Sequence, residues 1–97
     1  VKHGRLTGRA IQKVALCGGS GAFLMGKAQE EGADVFVTGE VKYHDYFYYD
    51  GALLVAEIGH YESEQYTKEI FYSIIRDMFP GLDIRMTRVN TNPIKYL

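Results

Sequence analysis

Three short apolar runs, each ending at a glycine or just before one, constrain the fold of this chain more than any other feature. The runs are AIQKVALC (10–17), DVFVTG (34–39) and LLVAEIG (53–59). The segments between them, AFLMGKAQEEG (22–32) and EVKYHDYFYYDG (40–51), have the composition of helices that end at a glycine turn. Strands alternating with helices at this spacing predict βαβ units and a mainly parallel sheet with right-handed crossovers.

The remainder of the chain extends this pattern. Residues 62–79 carry apolar side chains at helical spacing with acidic residues in the first turn, and Pro80-Gly81 ends the predicted helix. LDIRMTRV (82–89) is predicted to be a fourth strand, followed by a short tail. We therefore expect one α/β domain over residues 1–97, with a mainly parallel sheet of about four strands and helices on both faces.

Charge and composition limit the classes of partner. Eleven basic and twelve acidic residues leave a net charge of -1, which argues against nucleic acid as a partner. No apolar run reaches the roughly 18 residues that a membrane span requires. A single cysteine fits a reducing compartment, so we expect a cytoplasmic protein. Since the chain starts with Val1 rather than Met, we also expect it to be a piece of a longer protein.

Polar motifs follow all three predicted strands. They are CGGSG (17–21), TGEVKYH (38–44) and GHYESE (59–64). In an open parallel sheet, ligands bind outside the carboxyl ends of the strands. The sequence therefore predicts a functional site where these three motifs meet.

His60 and Glu64 are the first candidate metal ligands. On a helix, residues four apart share a face, so the imidazole and the carboxylate could reach one ion together. The alternative is a polar helix start with a glutamate favoured by the helix dipole. Glu62 is the competing carboxylate, and only the four-residue spacing favours Glu64.

Glu40 and His44 repeat this spacing one strand earlier. If residues 40–45 are helical, both side chains could act as metal ligands, as general acid and base, or by orienting other ligands. The alternative is a hydrogen-bonded histidine that caps a loop. His3 is assigned no role, because we expect a frayed terminus there.

Two further motifs leave alternatives open. Gly18, Gly19, Ser20 and Gly21 could cradle an anion through backbone N–H groups, or could simply form a tight turn. The aromatic run YHDYFYYD (43–50) is too dense for a small core, so we expect a subunit or domain contact there. Base stacking is the alternative for the same side chains.

Four motifs in this order resemble the C-terminal part of the NIF-three-like dinuclear metal-centre proteins, the GTP cyclohydrolase I type II homologue family. The motifs are VALCGGSGAFL (14–24), GADVFVTGEVKYHD (32–45), IGHYESEQYT (58–67) and TNPIKYL (91–97). The resemblance covers residues from about Leu6 to Leu97. One departure is Glu40, since many members have aspartate after the TG.

The resemblance implies one half of a two-lobed α/β fold built around two divalent metal ions, in a toroidal hexamer. His60 and Glu64 match the family's GH-x-x-x-E ligands, and the other ligands come from an N-terminal lobe that this sequence lacks. Zinc, iron and manganese all suit imidazole with carboxylate. Glu40 and His44 would tune or orient the site from its rim, and Gly18–Gly21 would be the loop beside it.

The resemblance also implies a metal-dependent hydrolase that acts on a guanine nucleotide or another phosphate-containing substrate. The competing hypothesis is a scaffold whose metals hold an oligomer together without turnover. For the 97 residues alone we expect weak or partial metal binding, no catalysis and a tendency to self-associate.

Overall fold

A four-stranded sheet organises the first part of the molecule. The computed structural model describes residues 1–97 and divides them into two units, Val1–Glu64 and Gln65–Leu97. In the first unit the strands are β1 (Lys2–His3), β2 (Val14–Cys17), β3 (Val35–Thr38) and β4 (Leu54–Glu57). Their order is β1-β4-β3-β2, with β2, β3 and β4 parallel and β1 antiparallel to β4. The predicted α/β class with a mainly parallel four-stranded sheet is confirmed.

Short helices connect the parallel strands. A 3₁₀ turn at Gly21–Leu24 runs into α1 (Met25–Glu30) between β2 and β3. Helix α2 (Asp45–Tyr48) lies between β3 and β4, and α3 (His60–Glu64) follows β4. The predicted helix in residues 40–51 therefore forms only at Asp45, after five non-helical residues.

One face of the sheet carries the core. Side chains alternate along a strand, so Phe36 of β3 and Val55 of β4, which are paired in register, point to the same face. They are 2% and 1% exposed and pack with α1. The buried cluster consists of Met25, Ala28, Ala33, Phe36, Val41, Leu53 and Val55.

The N-terminal residues form a strand instead of the frayed terminus that we expected. The Lys2 ammonium group pairs with the carboxylate of Glu57, which is only 8% exposed. The Gly4 N–H donates to the carbonyl oxygen of Val55 at 2.9 Å. A buried carboxylate requires a partner, and these contacts hold β1 against β4.

The second unit contains one helix, α4 (Thr67–Met78). The single helix predicted for 62–79 is wrong, because the chain forms α3 and α4 separately. The strand predicted for 82–89 is also wrong, since these residues form no regular element. An alternating pattern makes a strand only when a neighbouring strand accepts its hydrogen bonds, and no strand of the sheet pairs with these residues. No helix has the length and apolar character that crossing a membrane requires.

Candidate metal centre

The carboxyl ends of β2, β3 and β4 lie side by side. Cys17 pairs in register with Thr38, and Thr38 pairs with Glu57. The chain therefore leaves all three strands at one edge of the sheet, which we call the carboxyl edge. The predicted convergence of the three polar motifs is confirmed by this register.

Gly39 allows the three loops to approach one another closely. Its N–H donates to the carbonyl oxygen of Gly19 at 3.0 Å. A Cβ atom at Gly39 would lie 2.6 Å from Ser63 Oγ and 2.7 Å from the Gly19 carbonyl oxygen. Because both distances are below van der Waals contact, only glycine lets the loop after β3 pass between the other two.

Two hydroxyl groups hold the glycine loop in place. The Gly21 N–H donates to Thr38 Oγ1 at 3.0 Å, and the Gly19 N–H donates to Ser63 Oγ at 2.9 Å. The Thr38 hydroxyl, which is 1% exposed, donates in turn to the Gly19 carbonyl oxygen at 3.2 Å. Two of the N–H groups that an anion cradle would need already have acceptors. These contacts favour a tight turn over an anion cradle for Gly18–Gly21.

His60 and Glu64 lie on the same face of α3. His60 is the first residue of that helix, so the four-residue spacing places its ring beside the Glu64 side chain. His60 Nε2 and Glu64 Oε2 are 3.1 Å apart. The glycine loop adjoins the pair, since a Cβ at Gly19 would lie 2.6 Å from Glu64 Oε1 and 3.4 Å from His60 Nε2.

Glu40 reaches the other side of the same imidazole ring. Its Oε2 atom lies 3.2 Å from His60 Nδ1 and accepts a hydrogen bond from Ser20 Oγ at 2.9 Å. The hydrogen bond to Glu40, with the charge of Glu64, raises the pKa of His60 above its ordinary value. The Ser20 hydroxyl, followed by His60, lowers the pKa of the Glu40 carboxyl.

The His60–Glu64 pair offers one nitrogen and one oxygen donor, and its spacing suits an ion pair as well as two ligands of one ion. Nitrogen and oxygen donors about 2.1 Å from a tetrahedral or octahedral ion lie roughly 3.0–3.4 Å apart, and the observed separation is 3.1 Å. Glu40 faces the opposite ring nitrogen, and no group of three or more such side chains could hold an ion by itself. The residues therefore fit part of a divalent metal site.

Glu40 and His44 do not share a helical face, contrary to the prediction. Residues 40–44 precede α2, so the spacing of four residues has no structural meaning there. The His44 ring instead meets the edge of the Tyr43 ring, with centroids 5.4 Å apart. The structure brings Glu40 to His60, and a role of His44 in catalysis stays a prediction.

The aromatic run divides between core and surface. Tyr46 and Tyr49 pack against the buried cluster, whereas Tyr43, Phe47 and Tyr48 are 72%, 64% and 82% exposed. Their exposure is what an interface requires, and the partner stays a prediction.

A pocket opens beside Glu40. Its volume is about 360 Å³, and it is lined by Ser20, Ala22, Phe23, Glu40, Lys42 and Asp45. Two of these residues, Ser20 and Glu40, belong to the hydrogen-bonded chain that ends on His60. A molecule in this pocket would lie directly beside the hydrogen-bonded side chains of Ser20, Glu40 and His60.

Thr38 and Ser63 are functional supports that sequence reasoning missed. Each is a hydroxyl residue at a strand end or in the first turn of a helix, where such side chains commonly bond to nearby backbone groups. That position predicts the bond from Ser63 Oγ to the His60 carbonyl oxygen at 2.8 Å within α3. The contacts of both hydroxyl groups with Gly19 and Gly21 lie between loops and follow from the strand register.

Fold and site together define the class: an α/β protein with a histidine–carboxylate cluster at the carboxyl edge of a mainly parallel sheet. The chain belongs to the Duf34/NIF3 (NGG1p interacting factor 3) family, whose family model matches residues 1–93. The resemblance found in the four sequence motifs is confirmed.

Two curated relatives with similar sequences carry the same name. A GTP cyclohydrolase 1 type 2 homolog of Staphylococcus aureus (strain COL) is 37% identical over 93 residues, covering 90% of this chain and 25% of the relative. A protein of the same name from Staphylococcus epidermidis (strain ATCC 12228 / FDA PCI 1200) is 38% identical over 96 residues, with 89% and 25% covered. The chain thus spans about a quarter of the length of these relatives.

Solved structures have the same fold. The Staphylococcus aureus hypothetical protein SA1388 superposes with a TM-score of 0.87 at 31% identity, covering 99% of this chain and 33% of that chain. A Bacillus cereus protein related to NIF3 matches with a TM-score of 0.67 at 24% identity, covering 100% and 28%. The second match, at its lower identity, supports the fold alone.

Proposed function

We propose that this chain supplies His60 and Glu64 to a divalent-metal site in a longer, metal-dependent hydrolase. The observation that carries the proposal is the 3.1 Å separation of His60 Nε2 and Glu64 Oε2 on one face of α3. The relatives' name, GTP cyclohydrolase 1 type 2 homolog, supports hydrolysis of a guanine nucleotide as the reaction class. Phosphoester hydrolysis is compatible with the same donor set.

In this proposal the chain's own residues bind a metal ion and fix its position. His60 offers the Nε2 lone pair once the ring has lost its second proton, and Glu64 offers a carboxylate oxygen. Two divalent ions, zinc, iron or manganese, would supply Lewis-acid activation of water and of a phosphate or carbonyl oxygen. The remaining ligands would come from parts of the longer protein outside these 97 residues.

A metal-stabilised oligomeric scaffold without turnover is the second candidate. The exposed side chains of Tyr43, Phe47 and Tyr48 favour it, because aromatic residues are enriched at subunit contacts. The two candidates differ in what removal of the metal should abolish, which is turnover in the hydrolase and assembly in the scaffold.

Calorimetric titration of Zn²⁺ and Mn²⁺ into the 97-residue chain tests the ligand assignment. Wild-type chain should bind weakly, because two protein ligands leave most of the coordination sphere to water. His60→Ala and Glu64→Gln should each weaken binding at least about tenfold, since even partners that only support a ligand change affinity about 10- to 100-fold.

Glu62→Gln is the matched control for Glu64→Gln. It removes a carboxylate charge from the same short helix two residues away and should leave the affinity unchanged. An equal loss of metal affinity in Glu62→Gln and Glu64→Gln would mean that net charge, and not ligation by Glu64, causes the effect. Binding that is indifferent to His60→Ala would contradict the metal assignment.

A further inference from the structure

We propose that Glu40 is a positioning residue that holds His60 by Nδ1, so that Nε2 is the only ring nitrogen offered to a metal, and that Ser20 fixes Glu40 for this task. This inference rests on the proposed function, since it assigns how the His60 ligand is oriented. It separates Glu40 from the ligands, and it gives the serine of the glycine loop a role other than anion binding.

The hydrogen bonds converge on a single oxygen atom. Glu40 Oε2 accepts from Ser20 Oγ at 2.9 Å and lies 3.2 Å from His60 Nδ1. A carboxylate oxygen has two lone pairs, so both donors can be accommodated at once. Their two directions restrict the rotation of the Glu40 side chain, and Glu40 in turn restricts the ring.

The three residues come from three different segments of the carboxyl edge, and His60 begins helix α3. Ser20 follows β2, Glu40 follows β3 and His60 follows β4. Neighbouring groups also join these segments, because the Gly39 N–H donates to the Gly19 carbonyl oxygen and the Gly19 N–H donates to the Ser63 hydroxyl. Ser20 and Glu40 are therefore anchored through the adjacent glycines, and His60 is anchored through Ser63, whose hydroxyl donates to the His60 carbonyl oxygen at 2.8 Å.

The orientation of the imidazole ring decides which nitrogen can meet Glu64. A flip of the ring about its bond to Cβ would exchange the edge positions of nitrogen and carbon, and Nδ1 would leave Glu40. Ligating histidines commonly donate their other N–H to a carboxylate, which fixes the tautomer and makes the ligating nitrogen more basic. With Glu40 on Nδ1, Nε2 is left facing Glu64 Oε2 at 3.1 Å.

Glu40 cannot share an ion with Glu64 at this ring. The two carboxylates contact opposite nitrogens of His60, and an ion beside Nε2 lies on the far side of the ring from Glu40. The side chain of Glu40 is 60% exposed, so water competes for its hydrogen bonds and the effect on affinity belongs at the lower end of the usual range.

Nuclear magnetic resonance of the ¹⁵N-labelled histidine ring, with Zn²⁺ added to the 97-residue chain, tests the proposal. In the wild-type chain Zn²⁺ should shift the Nε2 resonance of His60, while Nδ1 keeps its proton. Glu40→Ala should weaken Zn²⁺ binding about tenfold and mix the two modes of ligation or broaden the Nδ1–H signal.

Two further variants separate orientation from charge. Glu40→Gln keeps an acceptor oxygen for Nδ1–H, so it should preserve ligation through Nε2 with an intermediate affinity. Ser20→Ala should weaken binding about two- to threefold, as expected for the loss of one exposed hydrogen bond. Glu31→Gln is the control, because Glu31 is 64% exposed and pairs with Lys27 instead of His60.

The outcomes distinguish a failure of the proposed metal function from a failure of the positioning role of Glu40. If Zn²⁺ leaves both ring nitrogens of His60 unshifted in the wild-type chain, the proposed metal function fails. If Zn²⁺ binds through Nε2 in the wild-type chain and binds identically in Glu40→Ala, only the positioning role is overturned. An equal loss of affinity in Glu40→Gln and Glu31→Gln would also overturn it, by attributing the effect to charge alone.

Discussion

Tyr46 links the core to the buried carboxylate of Glu57. Its hydroxyl donates to Glu57 Oε2 at 3.1 Å, and burial together with this carboxylate raises the pKa of Tyr46 to about 12. A raised pKa means that the fold stabilises the neutral phenol. This contribution is fully present below the ordinary tyrosine pKa of about 10 and is lost as the pH rises through about 12. Ultraviolet titration should therefore show a tyrosinate component near pH 12 that is absent in Tyr46→Phe.

Tyr49→Phe is the control for that titration, because Tyr49 also packs against the buried cluster. The component near pH 12 should survive in this variant. If it also survives in Tyr46→Phe, the assignment to Tyr46 is wrong. Tyr46→Phe should also lower the free energy of unfolding by about 1 kcal/mol at neutral pH, the typical net value of one hydrogen bond.

At the residue scale, the sequence predicts contacts within a helix better than contacts between loops. The approach of His60 to Glu64 follows from helical periodicity alone. The partner of Glu40 does not, because Glu40 and His60 lie 20 residues apart and meet only through the strand register. The spacing paired Glu40 with His44, but that pairing required a helix that starts five residues later.

The loops of the carboxyl edge depend on one glycine, and its replacement should show this. Gly39→Ala would place a methyl group against Ser63 Oγ and the Gly19 carbonyl oxygen, where there is no space. We expect a loss of about 1–3 kcal/mol in the free energy of unfolding, the usual cost of overpacking. Zn²⁺ affinity should fall as well, because His60 Cα lies 3.0 Å from the added atom.

Urea unfolding measures this loss, with Gly81→Ala as the control. A Cβ atom at Gly81 meets nothing within 4 Å, so this variant should keep wild-type stability. Similar stability of Gly39→Ala and wild type would show that the loops can separate without cost.

At the element scale, the three parallel strands were predictable and the two-residue strand β1 was not. Strands β2, β3 and β4 follow from continuous apolar runs that end at glycine or polar residues. β1 has only two residues, and it depends on pairing with β4 and on the buried Glu57, neither of which a local pattern reveals. The alternation in 82–89 resembles a strand, but a strand needs a partner that no local pattern specifies.

At the scale of the whole molecule, the candidate centre is confined to one unit. Ser20, Glu40, His60, Ser63 and Glu64 all belong to Val1–Glu64. This unit brings two metal-ligand candidates and their supports together at one sheet edge. No group of three or more His, Cys, Asp or Glu side chains here could hold an ion. In the proposed two-ion site, the remaining ligands would therefore come from outside these residues.

A longer chain that restores the upstream part of the protein should therefore bind metal much more tightly. Each added ligand that improves binding by about 1.4 kcal/mol gives a tenfold gain, so two or more should give at least about a hundredfold gain in Zn²⁺ or Mn²⁺ affinity. Calorimetry of the long and short chains, each with His60→Ala, measures the gain and the number of ions. Equal affinity of the two chains would contradict a divided site, and indifference of the long chain to His60→Ala would remove His60 from it.

If the long chain consumes GTP only with metal, the hydrolase is supported, whereas metal-dependent assembly without turnover of GTP or a phosphoester supports the scaffold.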